Sequence, residues 1–168
     1  MLNERKWFAV YTISRHEKSV AKHLLVRNIE YFLPLCASKH KWKNGQNVVV
    51  ELPLFPSYIF VHIGTDEWRS VQEAPGVLTL LGGSAHKESV MLDEEIQALR
   101  DGLFLRQAEP HSLLRAGQRA RILTGALAGL EGVVVRENNS LRVVLTVDAI
   151  NSSYAVEVDA DELLYVEP

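Results

Sequence analysis

The pattern of apolar residues changes near Phe104. Before this residue, strand-sized apolar runs alternate with segments of helical period, whereas after it only short β-branched runs remain between turn residues. Two different periodicities in one chain predict two separately built units. We therefore predict an α+β sandwich over residues 1–103, in which helices flank a mostly antiparallel sheet, then a linker over 104–113 and a small all-β barrel over 114–168.

Charge is distributed unevenly along the chain. The 168 residues carry a net charge of -3, yet residues 1–62 contain nine Lys and Arg against four acidic residues, which makes this part +5. The remainder contains nine basic and seventeen acidic residues, which makes it -8. Because a polyanion is attracted by local positive charge, we expect any contact with nucleic acid to lie in the N-terminal part.

The sequence disfavours a membrane protein, a metalloprotein and an enzyme. No apolar stretch approaches the roughly 20 residues that cross a bilayer, and MLNERKW has no signal-peptide core, so we expect a cytoplasmic protein without membrane contact. Cys36 is followed by no glycine-rich turn or recognisable base that would mark a nucleophile. The six histidines show no metal-ligand spacing. We expect no catalytic residue, no metal and no cofactor.

The first strand and helix of the N-terminal part are the clearest elements. WFAVYT, at positions 7–12, predicts a strand buried on both sides, and Ser14 with Glu17 has the spacing of a helix capping box. An apolar stripe follows at Val20, Ala21, Leu24 and Leu25. Four basic side chains are predicted on the opposite face: Arg15, Lys18, Lys22 and His23. A simple solvated face is the commoner interpretation of such a row.

A basic hairpin and an aromatic strand come next. HKWKNGQ contains the Asn-Gly pair that closes tight turns, so YFLPLCAS and NVVVEL are predicted to pair antiparallel. PLFPSYIFVHI predicts a strand whose alternation places Tyr58 and Phe60 on the same face. A short helix before Pro75, the strand VLTLLGG, and a helix that begins at Asp93 and ends before Gly102 complete the domain.

The C-terminal part reads as a small antiparallel barrel. QRARILT, EGVVVREN, LRVVLTV, YAVEV and LLYV are β-branched runs at regular spacing. Glycines between the first two runs permit positive φ and close backbone approach; they are Gly117, Gly125, Gly129 and Gly132. Because VVV and RVVLTV would lose side-chain freedom in a helix, we expect this part to be β in the free protein.

Two groups of segments carry a family resemblance. AGQRARILTGALAGLEGVVV resembles the KOW motif, which occurs in NusG-like factors and in several ribosomal proteins. WFAVYT, PLFPSYIFV, APGVLTLLGG and VMLDEEIQAL follow the order of the NusG N-terminal domain, so the resemblance covers nearly the whole chain. WFAVYTISRHEKSVAKHL, FLPL and ELPLFPSYIFV are more similar to specialised paralogues of the RfaH and UpxY kind. The resemblance implies an operon-specific elongation or antitermination factor, with a general NusG-type factor as the alternative.

The resemblance also implies contacts with the transcription machinery. In the family, the N-terminal domain binds the clamp helices of the largest RNA polymerase subunit, at positions held here by Tyr11, Phe55, Pro56, Tyr58 and Phe60. The second wall of the DNA channel would meet Trp68, Arg69 and Ser70, where Trp68 departs from the polar stretch of RfaH. Arg15, Lys18, Lys22 and His23 match a surface turned towards non-template DNA, for which weak contact is expected. For each of these aromatic residues, burial in the core is the alternative interpretation.

The C-terminal domain implies a second partner. In relatives the KOW domain recruits the termination factor Rho or a small-subunit ribosomal protein, and the corresponding apolar loop positions here are Leu127, Leu130 and Ile150. Housekeeping members carry an aromatic residue where this chain has Ile150, so recruitment can differ. A monomer is expected. The rival class, a ribosomal or other RNA-binding KOW protein, is normally basic, whereas the barrel region here is acidic.

Overall fold

The chain divides into two compact units between Asp93 and Glu94. The computed structural model describes residues 3–82, 90–105, 108–111, 117–137 and 139–166. The elements up to the division are β1 (Lys6–Thr12), α1 (Glu17–Val26), β2 (Glu30–Phe32), β3 (Leu35–Lys41), β4 (Asn47–Pro53), β5 (Tyr58–Ile63), α2 (Trp68–Gln72), β6 (Val77–Leu80) and β7 (Val90–Met91). Those from the division onwards are α3 (Asp93–Leu105), β8 (Glu109–His111), β9 (Arg119–Ile122), β10 (Glu131–Glu137), β11 (Ser140–Val147), β12 (Ser152–Val158) and β13 (Leu163–Tyr165). None of the helices formed by these described residues is long and apolar enough to cross a membrane.

The first unit is built on a five-stranded antiparallel sheet in the order β2-β5-β1-β6, with β7 also paired to β1. Helix α1 covers one face, where Val20 and Leu24 pack in a cluster with Val10 and Ile59. This cluster confirms the predicted strand and most of the helical stripe, because apolar residues three and four apart share one side of a helix. Leu25 is the exception and is 63% exposed.

The predicted capping box at Ser14 and Glu17 is wrong. Helix α1 begins at Glu17 itself, and His16, the preceding residue, makes no side-chain capping bond. Arg15 has a φ of 63°, which bends the chain before the helix. The Glu17 carboxylate instead accepts a hydrogen bond of 2.7 Å from the backbone N–H of Ser57. The Glu17 side chain therefore makes a tertiary hydrogen bond to Ser57 and does not cap its own helix.

The predicted hairpin forms, and it stands as a separate two-stranded sheet of β3 and β4. The Asn-Gly pair lies in its turn, where Gly45 has a φ of 84° and the Trp42 N–H donates to the Gln46 carbonyl over 2.9 Å. The single predicted strand YFLPLCAS is divided into β2 and β3. Pro34 lies between the two, and proline has no N–H to continue a ladder.

The second unit contains a six-stranded antiparallel sheet in the order β13-β9-β10-β11-β12-β8. All five predicted runs form strands, whereas β8 was not predicted. Gly132 allows the strands to come close, because a Cβ at this position would lie 2.7 Å from Val143 Cγ1 and closer still to the Val144 carbonyl oxygen. The C-terminal part therefore has the predicted strand architecture.

Helix α3 corrects the predicted boundary at residue 103 and the linker over 104–113. The helix continues through Gly102 to Leu105 and lies in the second unit, and β8 pairs with β12 inside the predicted linker. Gly102 is buried, and a Cβ there would lie 3.4 Å from Val156 Cγ1 of β12. Glycine was expected to end the helix, but Gly102 lies inside the last turn and packs against β12. Residues 106–107 and 112–113 of the predicted linker lie outside the described residues.

Candidate functional site

The loop before β5 has an unusual and well-fixed backbone. Ser57 has a φ of 69°, a left-handed conformation that costs a residue with a side chain about 1–2 kcal/mol. Its N–H donates to Glu17 Oε1 over 2.7 Å, and its carbonyl accepts from the Thr12 N–H over 2.8 Å. Glu17 is only 5% exposed. Such a conformation persists only where several contacts hold it, and it therefore marks a candidate site.

Two tyrosines and a proline form the accessible part of this site. Tyr11 and Tyr58 are directly paired across β1 and β5, with ring centroids 5.4 Å apart. Tyr11 is 39% exposed, Tyr58 is half-buried and Pro56 is exposed. Partial burial raises the pKa of Tyr58, and the neighbouring Tyr11 adds to the rise, so the Tyr58 hydroxyl keeps its proton near pH 7. We refer to Tyr11, Pro56 and Tyr58 as the tyrosine patch.

Phe55 and Phe60 do not join the tyrosine patch, since they are 2% and 0% exposed. Their rings meet edge to face with centroids 6.3 Å apart, and Phe32 stacks on Phe60 at the same distance. Phe60 lies in the middle of β5 between β1 and β2, whereas Tyr58 begins the strand. The expectation of one exposed aromatic face is therefore wrong for Phe55 and Phe60, whose place is the core.

The second predicted contact, at α2, also divides into packed and exposed residues. Trp68 is half-buried and meets Phe8 edge to face with centroids 5.2 Å apart. Its departure from a polar stretch is thus explained by packing beside the sheet. Arg69 is exposed and bonded to Glu73 over 2.7 Å, a hydrogen bond that raises the pKa of Arg69. Ser70 is half-buried.

The predicted basic face lies only partly on α1. Lys18 and Lys22 are exposed and one helical turn apart, and Lys18 Nζ donates to the Glu51 carbonyl of β4 over 2.7 Å. His23, in the last turn, is half-buried. Arg15 is exposed but precedes the helix, since its left-handed backbone belongs to the turn. The structure therefore gives a basic surface that begins in a turn and continues along α1.

In the second unit, two of the three predicted partner-binding residues face inward. Leu127 is 1% exposed and Ile150 is 7% exposed, whereas Leu130 is half-buried. Both loops fold their apolar side chain into the core, so Leu127 and Ile150 have almost no accessible surface in this structure. Sequence reasoning missed the exposed apolar residues of this unit, which include Leu123, Leu164 and Tyr165. Consecutive residues of a strand point to opposite faces, so the pair Leu163 and Leu164 was the signal that could have found Leu164, which is exposed beside the buried Leu163.

Comparison with known proteins gives consistent matches. A family model described as transcription termination factor NusG matches residues 5–100. The transcription termination/antitermination protein NusG of Pseudomonas aeruginosa is 27% identical, over 95% of this chain and 97% of its own. The protein of the same name from Lactococcus lactis is 30% identical, over 95% of this chain and 92% of its own. A solved structure of Thermotoga maritima NusG superposes with a TM-score of 0.61 and 19% identity, covering 98% of each chain.

Proposed function

The chain belongs to the NusG family of transcription termination and antitermination factors, and from this premise we propose that it binds RNA polymerase through its first unit. The contact is with the clamp helices of the largest subunit, and its effect is to suppress pausing or termination. The protein acts in the cytoplasm as a monomer and catalyses no reaction. An operon-specific role is preferred to a general one because the opening segments resemble the specialised paralogues.

The tyrosine patch is the observation that carries this proposal. It presents two neighbouring aromatic rings, from β1 and from the start of β5. Its proline lies on the loop before β5, which bonds to Glu17 and Thr12 hold in place. Aromatic side chains supply large contact areas at small entropic cost, and they dominate the energy of many interfaces. A loop that is already fixed loses little further freedom on binding. Rigidity and aromatic character together suit the patch to an apolar partner surface.

Two further surfaces extend the proposed complex. Arg69 and Ser70 of α2, beside the packed Trp68, would meet the opposite wall of the DNA channel. The basic surface of α1 would lie along the non-template strand of the transcription bubble, where Lys18 and Lys22 supply phosphate contacts and Arg15 and His23 flank them. Such contacts position DNA without reading its sequence, so they are expected to be weak and sensitive to salt.

The second unit is proposed to act as a KOW domain that recruits another protein, either Rho or a small-subunit ribosomal protein. The positive φ values of Gly117, Gly125 and Gly129 support this proposal, because the resemblance to the KOW motif rests on these glycines. Leu130 is the one predicted contact residue that keeps accessible surface, while Leu127 and Ile150 would act by shaping the loops from within. Recruitment would therefore depend on loop shape as well as on surface residues.

Affinity for a clamp-helix fragment of the polymerase tests the proposed site. Tyr58→Ala should weaken binding by about thirtyfold, or about 2 kcal/mol, and leave the chain folded. Tyr165→Ala is the matched control, because Tyr165 also keeps accessible surface but lies in the second unit. Phe60→Ala should instead lower the free energy of unfolding by about 3–5 kcal/mol, as expected for a buried aromatic side chain. Full affinity in a folded Tyr58→Ala variant contradicts the proposed dock.

A further inference from the structure

The β3–β4 hairpin carries a second concentration of positive charge, away from the tyrosine patch. The sequence contains no acidic residue between Glu30 and Glu51, and this interval includes nearly all of the hairpin. The five residues at its tip are all exposed: Lys39, His40, Lys41, Trp42 and Lys43. A chain whose net charge is -3 therefore presents three lysines and a histidine within five consecutive positions.

One face of the hairpin is open to solvent along its length. Lys39 pairs with Val49 and Lys41 pairs with Asn47, so these four side chains share a face, and all four are exposed. Residues two apart on a strand are separated by about 7 Å, which spaces the two lysine stems evenly along this face. The lysines thus form a line of positive charge that leads towards the turn at Lys43.

Trp42 lies at the end of this line and is 59% exposed. Its backbone is held on both sides, since its N–H donates to the Gln46 carbonyl and its carbonyl accepts from the Gly45 N–H, each over 2.9 Å. The other two tryptophans pack against the sheet: Trp7 is 4% exposed and stacks on His62, and Trp68 meets Phe8. A large indole on a fixed turn is available to stack on another flat ring.

The base of the hairpin contacts α1. Lys18 Nζ reaches the Glu51 carbonyl over 2.7 Å, which joins the helix to β4. Glu51 pairs with Ala37, two residues before Lys39 and on the same face. The exposed side chain of Glu51 therefore lies between Lys18 and Lys39 on this face, so the lysines at the tip form a positive cluster of their own.

We propose that the hairpin tip binds single-stranded nucleic acid, with lysines at the phosphates and Trp42 stacked on an unpaired base. Basic grooves combined with exposed aromatic rings are the usual means of binding single strands without sequence preference. A duplex offers phosphates but keeps its bases stacked on each other, so it cannot use the indole. The proposed site shares no residue with the tyrosine patch, and its test does not require polymerase.

Tryptophan fluorescence of the full-length chain provides the measurement. Titration with a fifteen-nucleotide oligothymidylate or oligouridylate at low salt should quench emission, and Trp42→Phe should abolish the quenching because Trp7 and Trp68 are packed. Replacement of Lys39, Lys41 and Lys43 by Ala should weaken binding at least about tenfold and lower the log-log salt slope by about 2, at roughly 0.7 per phosphate contact. Quenching by either oligonucleotide supports the proposal, and the one that binds more tightly shows whether the site prefers DNA or RNA.

A charge-matched variant controls for net charge. Replacement of Arg119, Arg121 and Arg136 by Ala removes the same three charges from exposed positions of the second unit, and it should leave the quenching and the salt slope close to those of the unaltered chain. The proposal is overturned if Trp42 emission does not respond, or if this control loses as much affinity as the lysine variant. It is equally overturned if a duplex of the same length binds as tightly as the single strand, or if only anionic lipid vesicles quench the emission.

Discussion

The loop before Tyr58 and the loop between β9 and β10 both turn the chain through left-handed residues, but different contacts hold them. In the first, Ser57 adopts a φ of 69° and is held by Glu17 and Thr12, which lie about forty residues away in sequence. In the second, Gly125 and Gly129 adopt φ values of 81° and 91°, and hydrogen bonds within the loop surround these glycines. The start of this loop is also anchored, because the Leu123 N–H donates to the Glu162 carbonyl over 2.7 Å. The left-handed residue of the first loop is therefore held by long-range contacts, whereas the left-handed residues of the second are glycines held by bonds within the loop.

This difference matters because the two loops belong to surfaces with different proposed roles. The tyrosine patch requires an accurate position for Tyr58, and long-range bonds give that accuracy at the cost of about 1–2 kcal/mol of backbone strain at Ser57. The glycine loop carries no such strain, since glycine populates positive φ freely. A disturbance of α1 should therefore reach the tyrosine patch.

The largest expected effect concerns the second unit. Gly132→Ala should lower its free energy of unfolding by about 3 kcal/mol, because the new Cβ would collide with the Val144 carbonyl, which cannot move without breaking the sheet. Gly129→Ala is the matched control: it meets no atom within 4 Å and should lose only about 1–2 kcal/mol through its φ of 91°. Denaturant unfolding followed by circular dichroism measures both losses. Equal losses would mean that close strand packing at Gly132 adds nothing to the effect of the substitution.

A smaller effect is expected at the first loop. Glu17→Ala should cost about 1–3 kcal/mol of stability, because the Ser57 N–H loses its acceptor in a partly buried place. It should also weaken binding to the clamp-helix fragment in molecules that remain folded, since Tyr58 follows directly. Glu17→Gln, which keeps an oxygen acceptor, should recover most of both losses. If affinity is unchanged in folded Glu17→Ala, the loop does not need its tertiary anchor.

The tyrosines of the two units should respond differently to alkali. Burial raises the pKa of Tyr154 far above the usual value of 10.0, and Glu95 adds to the rise. The folded state keeps this proton where the unfolded state loses it, so stability is constant below about pH 10 and falls above it by up to about 1.4 kcal/mol per pH unit. Tyr154→Phe should flatten the fall between pH 9 and 11 more than Tyr58→Phe does. The opposite ranking would mean that Tyr58 is the more protected ring.

Local patterns were enough to predict much of the fold. The strands β1 and β5, the stripe of α1 and the Asn-Gly hairpin each follow from residues that are close in sequence, as do the five strands β9–β13. Alternation also grouped Tyr58 with Phe60 correctly on one face of β5. Alternation does not predict which residues of that face other side chains cover. Phe60 is buried, whereas Tyr58 keeps accessible surface.

Long-range contacts account for what the sequence could not predict. The bond from Ser57 to Glu17 joins residues forty positions apart, and it turned an apparent capping box into a loop anchor. The inward positions of Leu127 and Ile150 depend on how their loops close over the core. Gly102 is ambiguous by nature, because glycine both ends helices and allows close packing within them.

The place of Gly102 has a practical consequence for hybrids made from relatives of this protein. The family match over residues 5–100 crosses the division between Asp93 and Glu94, since α3 lies in the second unit against β12. A hybrid joined after residue 103 would receive its helix from one parent and the strand beneath Gly102 from the other. An alanine at that helix position would fit at ordinary contact distance from Val156, whereas a side chain that extends beyond Cβ would force helix and strand apart. Joining parents between Asp93 and Glu94 keeps the helix and its strand from one source.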